Sequence, residues 1–412
     1  MINYKEFVLD NGLQVLVHED PSSEMAVVNL LYKVGSRNEK TGKTGLAHYF
    51  EHLMFSGSQN IPAFDSALER AGGSSNAFTN TDITNYYITL PAVNLETALW
   101  LESDRMLQLS LQDKHIHTQK QVVIEEFKQR YLNQPYGDAM HHLRSLAFEQ
   151  HPYRWPTIGE KIADIEQFEK IDLVDFYQNH YTPDNAVLCI AGKVNFEDVR
   201  RRVDHWFGEI PRGAQAKEAP VSEPLQKKKK SKQVFGNVPT EALYKVYRIP
   251  GRLEEGFLSC DLITDVLSFG RSAVLEQKLV KNDAIFASCQ AYVLGNIDPG
   301  LLVVTGKLEK GVAAEEGEIA LEKVLEDFKK RAIPDQVLQK IKNQTEAMKT
   351  YESVSLLGRA MRLAYYAYLG NTSLINDEYD RKMEISGEQI QQAAMTYLDN
   401  DVSSVVYYKC QA

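Results

Sequence analysis

The sequence has few of the features that mark secreted or membrane-spanning proteins. Its four cysteines are scattered without CxxC spacing, so we expect reduced, mostly buried thiols and a reducing compartment. The opening segment MINYKEFVLDNGLQVLV lacks the basic, apolar and small-residue regions of a signal peptide. No apolar run approaches the roughly 18 residues that a membrane-spanning helix needs. These absences predict a cytoplasmic protein without membrane partners.

Basic residues are also outnumbered. The chain has 46 Lys and Arg against 56 Asp and Glu, a formal net charge of −10. This balance argues against nucleic acid or an anionic membrane as the main partner, because both attract basic surfaces. Hydrophobic residues make up 43% and charged residues 25%, as in ordinary globular proteins. At 412 residues the chain is long enough for two or more domains with ample cores.

One stretch stands apart in composition. Residues 211–232, PRGAQAKEAPVSEPLQKKKKSK, are rich in Pro, Ala and Lys and show no sustained apolar periodicity. This pattern predicts a linker. We therefore predict an N-terminal domain over residues 1–210 and a C-terminal domain over residues 233–412. The lysine run within the linker favours a solvated connector over a nucleic-acid contact.

The two halves that flank this linker resemble each other. LYKVGSRNEK begins at Leu31 and LYKVYRIPGR at Leu243, while YTPDNAVLCIAG begins at Tyr181 and YLDNDVSSVVYY at Tyr397. Matched starts and ends at a nearly constant offset indicate a duplicated domain. Within each half, strand-like segments are combined with grouped helix-like segments. The predicted fold class is therefore two homologous α+β domains joined by a linker.

Chemistry-bearing residues are concentrated in GLAHYFEHLMFSGS, residues 45–58. Apolar residues recur there at helical spacing and predict a helix over residues 45–56. On such a helix His48 and His52 lie one turn apart and can point toward the same position, with Glu51 beside them. Two imidazoles that hold zinc and a carboxylate that accepts a proton from its water are what zinc-dependent hydrolysis requires. The pattern is HxxEH, the reverse of HExxH.

Catalytic zinc usually has a third protein ligand. The helix-like segment TQKQVVIEEFKQRYLN, residues 118–133, offers Glu125 and Glu126. Glu126 follows two valines by one turn and so lies on the apolar side, where a carboxylate is costly unless it is paired or bound to metal. Periodicity thus favours Glu126 as the ligand and Glu125 as solvated. Four other histidines are weaker alternatives. His115 and His117, in the segment HIH, have strand-type spacing, and the adjacent residues His141 and His142 point in two different directions.

HYFEH followed some seventy residues later by VVIEE resembles the pitrilysin family of zinc peptidases, which includes insulin-degrading enzyme and mitochondrial processing peptidase. GGSSNAFTNTDITNYYITLP, residues 72–91, resembles the strand beside the active site of that family. A second half without its own HxxEH is also a family trait. The resemblance covers essentially the whole chain.

The resemblance implies a zinc metalloendopeptidase with Zn²⁺ held by His48, His52 and Glu126. Glu51 would be the general base that activates the zinc-bound water toward a peptide carbonyl. Substrate would add as a further strand to an edge strand through backbone hydrogen bonds. The matching residues of that strand are Asn76, Ala77, Phe78 and Thr79.

The chain departs from the family pattern in three places. Gln119 stands where some members have a second acidic residue. In the second half, Lys278 and Phe286 stand where the family has an Arg and a Tyr that bind substrate and stabilise the oxyanion, which leaves Lys278 as the substrate-binding residue there. Phenylalanine has no hydroxyl to donate.

The length of the chain resembles the short subunits of the family, which pair into one closed chamber that admits peptides or unfolded segments. We expect this chain to be the zinc-bearing subunit of a dimer. A heterodimer in which a homologous partner supplies the missing Arg and Tyr is preferred over a homodimer. The alternative function is that of a non-catalytic assembly subunit.

Overall fold

The computed structural model of the chain describes residues 1–214 and 221–411. These residues form two compact units. The first contains Met1–Phe127, residues 155–214 and Lys349–Glu378, and the second contains Lys128–Arg154, residues 221–348 and residues 379–411. Each unit combines one sheet with packed helices, so the predicted α+β class is confirmed.

Within the described residues, the strands are β1 (Lys5–Val8), β2 (Gln14–Glu19), β3 (Met25–Tyr32), β4 (Ser74–Thr79), β5 (Thr84–Pro91), β6 (Ala186–Gly192), β7 (Lys230–Gly236), β8 (Ala242–Ile249), β9 (Phe286–Leu294), β10 (Gly300–Leu308) and β11 (Ser404–Cys410). The α-helices are α1 (Leu46–Leu53), α2 (Phe64–Arg70), α3 (Leu95–Leu107), α4 (Asp113–Phe127), α5 (Ala139–Ala147), α6 (Ile162–Glu166), α7 (Lys170–His180), α8 (Phe196–Phe207), α9 (Phe257–Ser268), α10 (Ala314–Lys329), α11 (Asp335–Val354), α12 (Leu356–Tyr368), α13 (Leu374–Glu384) and α14 (Gly387–Tyr397). Two π-helical turns lie at Lys128–Leu132 and Glu276–Asn282.

The two sheets share one topology. The first has the strand order β1-β2-β6-β3-β5-β4, and the second has β7-β11-β8-β10-β9. The pairs β2–β6 and β7–β11 are parallel, and the other pairs are antiparallel. Apart from the additional β1, each strand of the first sheet therefore has a counterpart in the second. This agreement confirms the duplicated domain that the sequence predicted.

The predicted linker is partly structured. Its residues 215–220 lie outside the described residues. Strand β7 begins at Lys230, two residues before the predicted end of the linker. Lys229 forms an ion pair with Glu318 at 2.7 Å and Lys230 with Glu149 at 2.6 Å. These lysines therefore stabilise contacts within the second unit.

Each compact unit contains a helix from the other half of the sequence. Helix α12 packs on β2, β3 and β6 of the first sheet, while α5 packs on β7, β8 and β11 of the second. The exchange explains why the compact units do not coincide with residues 1–210 and 233–412. That division stays a prediction about the duplicated sequence halves. The central strands β3 and β6 are apolar and buried almost throughout, because helices cover them.

The exchanged helix should stabilise the first unit although it comes late in the sequence. Leu363 of α12 is fully buried. We expect Leu363→Ala to lower the free energy of unfolding by about 2–5 kcal/mol, through lost burial and a residual cavity. Hydrogen exchange should show the loss of protection in β3 and β6.

Leu325→Ala in α10 is the matched control, since Leu325 is equally buried in the second unit. Its effect should be concentrated in the second sheet. Unchanged protection of β3 and β6 in Leu363→Ala would contradict the assignment of α12 to the first unit.

None of the helices in the described residues combines the length and the apolar character needed to cross a membrane. All four cysteines are free thiols: Cys189 and Cys260 are buried, Cys289 is partly buried and Cys410 is exposed.

Candidate metal centre

The HYFEH segment forms helix α1, which is fixed at its first turn by a distant carboxylate. Gly45 occupies the N-cap with φ +96°, a left-handed conformation that favours glycine. Because glycine has no capping side chain, Glu39 accepts hydrogen bonds from the backbone N–H groups of Gly45 at 2.8 Å and Ala47 at 2.9 Å. Burial raises the pKa of Glu39, and these two donors oppose the rise. Sequence periodicity missed this cap, since Glu39 lies outside the helix.

Helix α1 is amphipathic in the way that the sequence predicted, although it ends at Leu53, three residues early. Its apolar residues are buried, while His48, Glu51 and His52 are only partly buried. Gly57 follows with φ +102° and allows the chain to turn away. The three polar side chains thus lie on the face that is left open.

Helix α4 lies against α1 and supplies the carboxylate. The Tyr49 hydroxyl donates to the carbonyl of Ile116 at 2.5 Å. Gln119, which stands where some family members have an acid, donates to the Ser56 hydroxyl at 3.3 Å. A π-helical turn follows α4 directly at Lys128–Leu132. These contacts set the distance between the helix that bears the histidines and the helix that bears Glu126.

The structure brings His48, His52 and Glu126 together. One potential ligand atom from each lies within 4.8 Å of the other two. Glu126 Oε2 is 3.7 Å from His48 Nε2 and 3.3 Å from His52 Nε2. Donors in a tetrahedral zinc site, each about 2.0–2.1 Å from the ion, are separated by roughly 3.3–3.4 Å. The type and spacing of these donors therefore fit zinc.

Glu126, and not Glu125, joins the histidines. The Glu126 side chain is 18% exposed, whereas Glu125 is an exposed residue outside the cluster. The two glutamates differ in exposure in the expected direction, but of the two valines used in the argument only Val123 is buried, whereas Val122 is 44% exposed.

The other histidines do not contribute ligands to this cluster. HIH is on α4, so the strand-type interpretation of His115 and His117 was wrong. His141 and His142 are on α5, in the second compact unit. His142 Nε2 is 3.1 Å from Asp138 Oδ2 there.

Residues 76–79 lie in β4, at the edge of the first sheet. Within the described residues no strand pairs with the outer side of β4. The Ala77 N–H donates to the side-chain amide oxygen of exposed Asn76 at 2.8 Å, so it points away from β5. Asn80 N–H, three residues later, points the other way and donates to Ile83. By alternation, the backbone of Ala77 and Thr79 is directed toward the open edge.

Glu51 and the edge strand are in direct contact. The Thr79 hydroxyl donates to Glu51 Oε2 at 2.6 Å. Helix α1 packs on both β4 and β5. The predicted proton acceptor and the predicted docking strand therefore belong to one arrangement within the first unit.

The two candidate residues of the second half, Lys278 and Phe286, are less suited to catalysis than the residues around the metal centre. Lys278 is exposed on the π-helical turn Glu276–Asn282 of the second unit, and its role in substrate binding stays a prediction. Phe286 is fully buried in the apolar core of that unit. A Cβ added to Gly317 would lie 3.1 Å from Phe286 Cζ, so the tip of the ring packs against backbone. A hydroxyl on this ring would enter the core and would not reach a substrate.

Phe286→Tyr should therefore destabilise the second unit without restoring an oxyanion donor. An additional buried hydroxyl against Gly317 costs about 1–3 kcal/mol through overpacking and desolvation. Urea denaturation should show the loss, and peptide turnover should not increase. Increased turnover with unchanged stability would show that the ring turns outward in the working protein.

Comparison with known proteins agrees with the family resemblance of the sequence. Residues 14–161 match the family model described as Insulinase (Peptidase family M16), and residues 167–345 match the model described as Peptidase M16 inactive domain. The first match contains the histidine helix and Glu126. The second contains most of the half that lacks HxxEH.

Individual relatives agree with these models. The chain is 29% identical to zinc protease PqqE of Helicobacter pylori over 413 residues, which cover 98% of this chain and 93% of the relative. It is 28% identical to the beta subunit of mitochondrial-processing peptidase of Saccharomyces cerevisiae, over 52% of this chain and 45% of that protein.

Solved structures show the same fold. A protease from Helicobacter pylori superposes with a TM-score of 0.95 at 28% identity, over 99% of this chain and 100% of that chain. Pitrilysin superposes with a TM-score of 0.79 at 18% identity, over 99% of this chain and 45% of that chain. The chain thus spans less than half the length of pitrilysin.

Proposed function

The chain belongs to peptidase family M16, the insulinase family, and on this premise we propose that it is a zinc metalloendopeptidase that cleaves peptides or unfolded segments. One observation carries the proposal. Three donors of the types that zinc prefers lie within 4.8 Å of one another, beside a carboxylate that contacts an open edge strand. Hydrolysis needs these parts in one place: a metal ligand set, a base and a surface for extended peptide.

In this proposal His48, His52 and Glu126 would hold the ion. Zinc bound there would supply Lewis acidity, which polarises a peptide carbonyl and lowers the pKa of water to about 7. Glu51 is not part of the donor cluster, and its carboxylate accepts a hydrogen bond from Thr79. Its carboxylate takes the proton of the attacking water and delivers it to the departing amide nitrogen. The products are a carboxylate and an amine.

The docking surface in this proposal is the open edge of β4. An extended peptide that pairs there uses the backbone groups of Ala77 and Thr79, which require no particular substrate side chain. Asn76 covers the Ala77 N–H in the free protein. Its exposed side chain must therefore move aside when a substrate carbonyl takes its place.

We expect Ala77→Pro to weaken peptide binding at least about tenfold, because proline removes the backbone donor at the open edge. Zinc content should be unchanged, since Ala77 is not one of the three residues of the ligand cluster. Ala77→Gly retains the N–H and serves as the control. Normal peptide affinity in a folded Ala77→Pro variant would place the substrate elsewhere.

The proposal also includes a homologous second subunit. The exposed Lys278 and the buried Phe286 leave the second unit without the arginine and tyrosine of the family pattern. A heterodimer in which the partner supplies these groups is the preferred assembly, and a homodimer is the alternative. The second candidate function is a non-catalytic assembly subunit.

Size-exclusion chromatography of the purified protein, with zinc and peptide hydrolysis measured across the peak, tests the function. Hydrolysis that follows zinc across the peak, alone or after addition of a homologous subunit from the same source, supports the peptidase. Bound zinc without hydrolysis under either condition would favour the assembly role. Hydrolysis by a stable homodimer that no partner improves would overturn the heterodimer.

A further inference from the structure

The hydrogen bond between Thr79 and Glu51 connects two elements that are 28 residues apart in the sequence. Thr79 is the last residue of β4, and Glu51 lies in the last turn of α1. The oxygen–oxygen distance of 2.6 Å is typical of a hydroxyl that donates to an ionised carboxylate. Such a bond restrains a long side chain that otherwise rotates about three single bonds.

One loop anchors both elements. The N–H groups of Ser36 and Arg37 donate to the carbonyls of Asn80 at 3.2 Å and Thr81 at 2.9 Å, immediately after β4. Glu39, at the end of the same loop, caps the first turn of α1. The separation between Thr79 and Glu51 is therefore restrained by the contacts of this loop, and not only by their own hydrogen bond.

The turn that follows Thr79 is itself closed by side chains. The Asn80 side-chain oxygen accepts hydrogen bonds from the N–H groups of Asp82 at 2.8 Å and Ile83 at 2.9 Å. A Cβ on Gly35 would lie 2.5 Å from the Asn80 carbonyl oxygen, so the loop backbone packs closely on this turn. Thr79 thus has little freedom to withdraw from Glu51.

We propose that Thr79 is the positioning residue of Glu51: its hydroxyl orients the carboxylate for proton transfer, at the end of the strand on which substrate docks. The inference rests on the proposed peptidase function. Thr79 then has two separate roles, since its backbone faces the open edge for substrate while its side chain holds the base. A peptide that pairs with β4 is thereby placed at a fixed distance from the group that accepts the proton.

Thr79→Val tests the side-chain role, because valine keeps the shape and strand preference of threonine and removes only the hydroxyl. We expect kcat to fall about 10–100-fold, the usual effect of removing a group that orients a catalytic side chain. KM for an extended peptide should stay within about twofold, and zinc content should be unchanged. Thr79→Ser, which keeps the hydroxyl, should restore kcat to within a few-fold of the parent.

Thr84→Val is the matched control. Thr84 is the cross-strand partner of Thr79, but its hydroxyl donates to the Val34 carbonyl at 2.9 Å and not to Glu51. If both valine variants lower kcat equally, or if Thr79→Val raises KM with kcat unchanged, the positioning role is overturned. Thr79→Ala removes the same hydroxyl and takes the place of Thr79→Val if that variant does not fold.

The same assays separate this inference from the proposed function. Hydrolysis that survives Glu51→Gln would overturn the peptidase mechanism itself. Hydrolysis that is lost in Glu51→Gln but is normal in Thr79→Val would overturn only the positioning role of Thr79.

Discussion

Glu51→Gln should lower kcat by about 10² or more while the protein keeps its zinc and its fold. Glutamine has nearly the size of glutamate and can still accept a hydrogen bond from Thr79, but it cannot take a proton from water at neutral pH. General-base catalysis contributes typically about 10²–10⁴ to a rate. Zinc should remain, because the donor cluster consists of His48, His52 and Glu126. Metal analysis and steady-state kinetics on one preparation measure both quantities.

Glu125→Gln is the control for this experiment. It makes the same chemical change on an exposed residue outside the cluster, and surface substitutions of this kind are usually neutral within about 0.5 kcal/mol. Activity of Glu51→Gln within a few-fold of the parent would remove Glu51 from the chemistry. Loss of zinc together with activity would instead make Glu51 a ligand or a support for the ligands.

The relative placement of the two histidines could be predicted because it depends on local periodicity. Residues four apart on a helix share a face, so the histidine pair follows directly from HYFEH. The choice of Glu126 over Glu125 depended on the neighbouring valines, and the exposed fraction of Val122 shows how narrow that support was. Repeated segments likewise predicted the duplicated domain, because their starts and ends match at a nearly constant offset.

Features that arise from distant contacts were not predictable from pattern. Glu39 caps α1 from outside the helix, and nothing in its spacing identifies the partner. The exchange of α5 and α12 between the two units could not be predicted either, because helical periodicity shows which face of a helix is buried but not which sheet covers it. The burial of Phe286 could not be predicted for a different reason. Successive residues of a strand point to opposite faces, so a shift of one position decides whether a ring is buried or exposed.

Glu126→Gln should remove most of the zinc, and with it the hydrolysis, whereas Glu125→Gln should do neither. The two substitutions are chemically identical and one position apart on α4, so their difference isolates the ligand role. The carboxylate of Glu126 lies 3.3 Å from His52 Nε2, and a neutral amide is a much weaker zinc ligand than a carboxylate. Two remaining imidazoles hold zinc poorly, because catalytic sites normally use three protein ligands.

Zinc titration of the two variants, followed by metal analysis after dialysis, measures this difference directly. His48→Ala should behave like Glu126→Gln, since it also leaves two of the three donors. All three variants should keep their helical content, because none of these side chains belongs to the fully buried core: His48 and Glu126 are partly buried and Glu125 is exposed. A Glu125→Gln variant that loses zinc while Glu126→Gln retains it would show that Glu125, and not Glu126, is the zinc ligand. Full zinc retention in His48→Ala would show that the ion binds outside this cluster, and the proposed metal centre would then have to be abandoned.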